Sequence, residues 1–166
     1  MRDAASLEEA LASAAEDLGP ITALQYSPLP SRSYLEPVLD LTPDLALEAL
    51  RFSALGLITA TRAVLPAMRE AGDGTIILIN GGTSVKARAG FAGTSLAFPA
   101  ESAYGEMLHE ALAGEGVRVV QLVSHGSIPK RQGADGVDGV AERIWQLHTS
   151  TGEFRTMLIP LEEGRE

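Results

Sequence analysis

Apolar positions along this chain switch between helical and extended spacing. Leu7, Leu11, Ala14 and Leu18 form a stripe at helical spacing. Ser6-Leu7-Glu8-Glu9 opens it as a predicted capping box, with Ser6 as N-cap and Glu9 reaching back, and Gly19-Pro20 closes it. A short strand is expected over 21–26. The loop at 27–40 has prolines at 28, 30 and 37 and is expected to hold no regular structure. Thr42 as N-cap and Pro43 at the first helical position then open the longest helix, expected to run over 43–70. Its Leu47, Leu50, Phe52, Leu55, Leu57, Ile58, Val64 and Leu65 spread over more than one face, which predicts cover on two sides.

Gly72-Asp73-Gly74 turns the chain into an unbroken run, Ile76, Ile77, Leu78 and Ile79. That is the pattern of a strand over 75–80 buried on both faces. A Gly/Ala/Ser-rich loop, a helix over 99–113 starting at Pro99, and a second buried strand over 118–124 follow. The last elements are a helix over 138–148, with Val140, Ile144 and Leu147 on one stripe, and a strand over 155–161. Strands alternating with helices imply a parallel α/β sheet of about four strands with right-handed crossovers. The length fits one domain over 1–166.

Charge and composition narrow the function classes. The formal net charge is −9, and the lysines are only Lys86 and Lys130. Without a clustered positive field, neither a nucleic acid nor an anionic membrane is an expected partner. There is no cysteine, hence no disulfide, thiol nucleophile or thiolate metal site. Three scattered histidines give no metal-ligand spacing, so no metal is expected. No apolar run is long enough to span a membrane, and the acidic start is unlike a signal peptide. The expected location is the cytoplasm.

Several segments carry a family resemblance. They are Leu18-Gly19-Pro20-Ile21, then Thr61-Arg62-Ala63-Val64-Leu65-Pro66-Ala67-Met68-Arg69 leading to Gly74-Thr75-Ile76-Ile77. Leu112-Ala113-Gly114-Glu115-Gly116-Val117-Arg118-Val119 and Ala141-Glu142-Arg143-Ile144-Trp145-Gln146-Leu147-His148 follow in order. Together they resemble the C-terminal half of the short-chain dehydrogenase/reductase family. The resemblance implies a partial Rossmann-like sheet lacking the N-terminal dinucleotide-binding half. It also implies a homo-oligomer, or a heterodimer with a full-length relative, formed through the helices at 43–70 and 99–113.

The resemblance fails where that family does its chemistry. Its Asn-Asn-Ala-Gly segment is matched here by Tyr26-Ser27-Pro28-Leu29, and Gly81-Gly82 follows a strand without opening a helix as a pyrophosphate turn does. Aligned without gaps, the family's catalytic Asn, Ser, Tyr and Lys fall on Ser53, Gly81, Thr94 and Phe98. The tyrosines are Tyr26, Tyr34 and Tyr104, with Pro30, Val38 and Leu108 four residues on, so no Tyr-x-x-x-Lys pair exists in any register. The resemblance therefore implies a catalytically degenerate, non-redox pseudoenzyme subunit, binding NAD(P) only if a partner supplies the missing half.

Two enzymatic alternatives stand beside that reading. One is an oxidoreductase completed by a partner chain. The other is a cofactor-free lyase or cyclase at the rim where the strands end, with His125 as acid/base and Asn80, Ser124, Tyr26 and Thr94 around it. His109 is expected at the surface or an interface, and His148 at a helix end where a cation suits the macrodipole.

Overall fold

The computed structural model describes residues 3–124 and 136–158. Four parallel strands form one sheet in the order β1-β2-β3-β4: Ala23–Tyr26, Gly74–Gly81, Val117–Ser124 and Arg155–Met157. Strand order follows chain order, so every connection is a crossover carrying helix, as the alternating pattern implies. Among the described residues five α-helices flank it: α1 (Ala4–Leu18), α2 (Pro43–Leu50), α3 (Gly56–Ala71), α4 (Ala92–Ala111) and α5 (Val137–Thr149).

The core divides by sheet face. On one face Leu24, Ile76, Leu78, Val117 and Val119 pack with Leu57, Ala60, Val64 and Met68 of α3. On the other, Ile77, Val120 and Leu122 pack with Leu147 of α5. This two-sided burial explains the unbroken apolar runs of β2 and β3. The apolar spread of α3 also has its cause here, because Leu7 and Leu11 of α1 and Leu65 of α3 are half-buried against the same cluster. Part of the second cover that the sequence calls for is thus supplied within the chain. The outer edge of β1 has no paired strand among the described residues.

Several boundaries differ from those expected. Asp3, not Ser6, caps α1, accepting from Ala5 N at 3.0 Å and from the Ser6 hydroxyl at 2.7 Å. The loop after β1 holds a 3-10 turn at Arg32–Tyr34 despite its prolines. The 43–70 helix is interrupted by a π-helical turn at Arg51–Leu55. Helix α4 starts at Ala92, so Pro99 lies inside it instead of opening it. Tertiary contacts set that start: Ala92 N donates to Glu36 O at 2.9 Å, and Gly93 lies against the Tyr34 backbone so closely that a β-carbon would overlap it. Strand β4 ends at Met157, and residues 159–166 lie outside the described residues.

Candidate functional site

The strand C-terminal ends and the first half of α4 meet around a buried polar cluster. Sequence supplies its parts from separate elements: Ser53 from the π-turn, Asn80 from the end of β2, Glu101 and Ser102 from α4, Gln121 from the middle of β3 and Arg155 from β4. Ser53, Glu101 and Gln121 are all fully buried. Polar groups in such a place must be bonded to one another, and they are.

The bonds run in one direction. Arg155 Nε donates to Gln121 Oε1 at 2.7 Å and Arg155 Nη2 to the Ser102 hydroxyl at 2.8 Å, while Ser102 itself donates to Gln121 Oε1 at 2.9 Å. Gln121 Nε2 donates to Asn80 Oδ1 at 2.7 Å, and Asn80 Nδ2 donates to Glu101 Oε1 at 2.7 Å. The second oxygen, Glu101 Oε2, is bonded to the Ser53 hydroxyl, which also lies 3.3 Å from Ala97 O. Two aligned amides thus connect a guanidinium at the edge of the fold to a carboxyl in its interior. Burial outweighs the hydrogen bonds from Ser53 and Asn80 and pushes the Glu101 carboxyl up to about 7.

The π-turn is completed by Tyr26. An i→i+5 turn leaves carbonyls without their usual helical partners. The Tyr26 hydroxyl lies 2.8 Å from Phe52 O and 3.0 Å from Ser53 O, where it serves as their donor. Burial, with the Glu101 charge second, raises the Tyr26 phenol above its ordinary range, so it remains a neutral donor.

The residues singled out from sequence are therefore distributed as follows. Strand pairing sets Gly81 opposite Ser124 and Asn80 opposite Val123, so the ends of β2 and β3 are adjacent. Tyr26 ends β1, but its hydroxyl is committed to the π-turn. Asn80 is buried in the cluster, and Thr94 is buried with its hydroxyl donating to Phe91 O at 3.2 Å. The Phe98 ring lies beside Gly81, 3.7 Å from where a β-carbon would stand. His125 lies outside the described residues.

The remaining histidines are tied into the fold. His109 is half-buried, with Nδ1 2.8 Å from Val119 O and its ring 5.9 Å from that of Phe154. Expected at the surface or an interface, it stays partly exposed beside Glu110 while one ring nitrogen is bonded inward to β3. His148 sits in the last turn of α5 with Nδ1 3.1 Å from Thr75 Oγ1.

Sequence reasoning did not single out Glu101, Ser102, Gln121 or Arg155. One signal was present: Gln121 interrupts Val119-Val120-Gln121-Leu122-Val123, a run that otherwise reads as a doubly buried strand. Among the described residues no group of three or more His, Asp or Glu side chains is placed to hold a metal ion. None of their helices is long and apolar enough to cross a membrane.

Comparison with solved structures identifies the fold. A short-chain dehydrogenase from Rhodopseudomonas palustris superposes with a TM-score of 0.81 at 18% identity, covering 96% of this chain and 71% of that protein. One from Streptomyces avermitilis gives 0.75 at 18% identity, covering 94% and 66%. The enoyl-[acyl-carrier-protein] reductase (NADH) of Aquifex aeolicus gives 0.76 at 18% identity, covering 95% and 69%. The chain thus spans 66–71% of these proteins' lengths. No protein-family model matches the sequence, and no curated protein matches it either.

Proposed function

We propose that this chain, which has the fold of the short-chain dehydrogenases, is a non-redox member of that architecture that acts as a subunit of an oligomer. One observation carries the reading. The positions that the resemblance assigns to catalysis are used for packing: Ser53 bonds to buried Glu101, Thr94 to a backbone carbonyl, and Phe98 covers Gly81, which has no side chain. In the family that the chain resembles, a phenol passes the proton to the substrate carbonyl and a neighbouring ammonium lowers the phenol's pKa. Here the phenol's position is Thr94, whose hydroxyl is engaged with Phe91 O, and the ammonium's is the uncharged ring of Phe98.

The partner surface is assigned to the helices expected at 43–70 and 99–113, which correspond to α2, the π-turn and α3, and to α4. Leu47 and Leu55 on the first remain 43% and 47% exposed, and Leu96 and Met107 on α4 remain 49% and 60% exposed. Apolar side chains left in water on neighbouring helices favour association. The partner is a second copy or a full-length relative.

Light scattering on the purified chain, alone and co-expressed with a full-length relative, tests this. The expected result is a particle of at least twice the 17.5 kDa chain mass in one of the two samples. A 17.5 kDa monomer in both contradicts it.

A further inference from the structure

We propose that the outer edge of β1 is the docking site for β1 of a second copy of this chain, paired antiparallel about a two-fold axis at Leu24. The two sheets then run on into one. The surface involved is separate from the helices assigned above.

The ladder with β2 leaves this edge open. Thr75 N donates to Thr22 O at 2.9 Å, and the Ala23↔Thr75 register carries that side of the ladder on through Leu24 and Tyr26. Backbone groups of alternate strand residues point to opposite edges, so the N–H and C=O of Ala23 and Gln25 point away from β2. Among the described residues no hydrogen bond reaches them. Their side chains are exposed as well. The neighbouring segments are engaged elsewhere. Helix α1 packs Leu7 and Leu11 against the α3 cluster. The loop over 27–40 is tied towards α4, through Val38 N to Ala89 O at 2.8 Å and Ala92 N to Glu36 O at 2.9 Å. Strand β1 itself, Ala23-Leu24-Gln25-Tyr26, has no proline, charge or bulge, the devices that keep a sheet edge from pairing.

The flanks of β1 select a second copy as the occupant. A two-fold axis sets the start of one strand against the end of the other. Leu18 before β1 and Leu29 after it are 88% and 87% exposed, so each gains an apolar counterpart across the axis. Charge follows the same rule. Glu16 and Asp17 are exposed at the starting end and Arg32 at the finishing end, so acid meets base in this arrangement, whereas a parallel pairing sets like against like. With the axis at Leu24, Ala23 and the second copy's Gln25 exchange both backbone bonds, and symmetry repeats the exchange.

The chain has no cysteine, so Ala23→Cys and Gln25→Cys each introduce a single thiol. Residues that exchange both bonds stand about 5.5 Å apart between Cα atoms, a separation that a disulfide spans. Equal amounts of the two variants, mixed, left to exchange subunits and oxidised, are expected to link mainly to one another at twice the 17.5 kDa chain mass. No covalent dimer, or only the statistical mixture of self-linked and mixed dimers, overturns the proposal. Should the variants not fold, hydrogen exchange of the wild type decides the matter. Ala23 and Gln25 amides exchanging at least about tenfold more slowly than an exposed loop amide support the pairing, and exchange at the loop rate overturns it.

Discussion

The Tyr26 hydroxyl fills the space that a β-carbon on Gly56 would need, so the two residues form one fitted pair. The pair explains why the long helix tolerates its π-turn. Gly56 N–H reaches back to Arg51 O, and the absence of a side chain at 56 lets the phenol reach the carbonyls of Phe52 and Ser53.

Gly56→Ala should therefore destabilise the fold by about 2 kcal/mol, by overpacking and by displacing the hydroxyl. Tyr26→Phe should lose about 1 kcal/mol, the worth of the missing donor. The double variant should be less destabilised than the two losses added, because both act on the same contact. Urea denaturation of the four proteins measures the coupling, and strict additivity would refute the pairing.

Replacing Glu101 with leucine leaves the Ser53 and Asn80 groups without their buried partner. A loss of about 3 kcal/mol is expected, and Glu101→Gln should lose much less. Equal losses would mean that volume, not hydrogen bonding, is what the site requires.

The pH dependence has a definite sign. The folded Glu101 carboxyl, at about 7, lies above its ordinary value of 4.5, so between these values the folded state holds more protons than the unfolded one. Stability contributed by this group is complete below 4.5, falls as pH rises through the window and is level above 7. The full change is about 3 kcal/mol. Calorimetric or urea stability curves, taken as the difference between wild type and Glu101→Gln, isolate it from the other carboxylates.

Two glycines before β3 should respond unequally to alanine. Gly114 and Gly116 both have left-handed φ, at +87° and +78°. At Gly114 nothing lies within 4 Å of an added β-carbon, so backbone strain of about 1 kcal/mol is the whole expected loss. At Gly116 the β-carbon would overlap the Gly72 carbonyl, adding a backbone clash and raising the loss to about 3 kcal/mol. Thermal denaturation distinguishes the two, and equal losses would contradict the crowding at Gly116.

How much of this was legible in the sequence depends on the range of the interactions. The run Ile76–Ile79 and the strand expected over 118–124 mark doubly buried strands because sheet burial is written residue by residue. The start at Thr42-Pro43 was legible because a cap is a local device, and Thr42 does accept from Leu45 N, at 3.2 Å. The start of α4 was not, since it depends on Glu36 and Tyr34, more than fifty residues earlier. The cluster was hidden for the same reason. Ser53, Asn80, Glu101, Gln121 and Arg155 stand far apart in the chain, and only parallel strand pairing with α4 across it brings them together. Asn80 and Tyr26 were visible as polar residues at strand ends, but their engagement inward, away from the rim, follows from neighbours no local pattern reveals.

The central claim is that this chain on its own performs no nicotinamide chemistry. Titration of NADH and NADPH into the purified chain, followed by cofactor fluorescence, tests it most directly. The account predicts no saturable binding at micromolar concentrations. A saturable micromolar isotherm would contradict it.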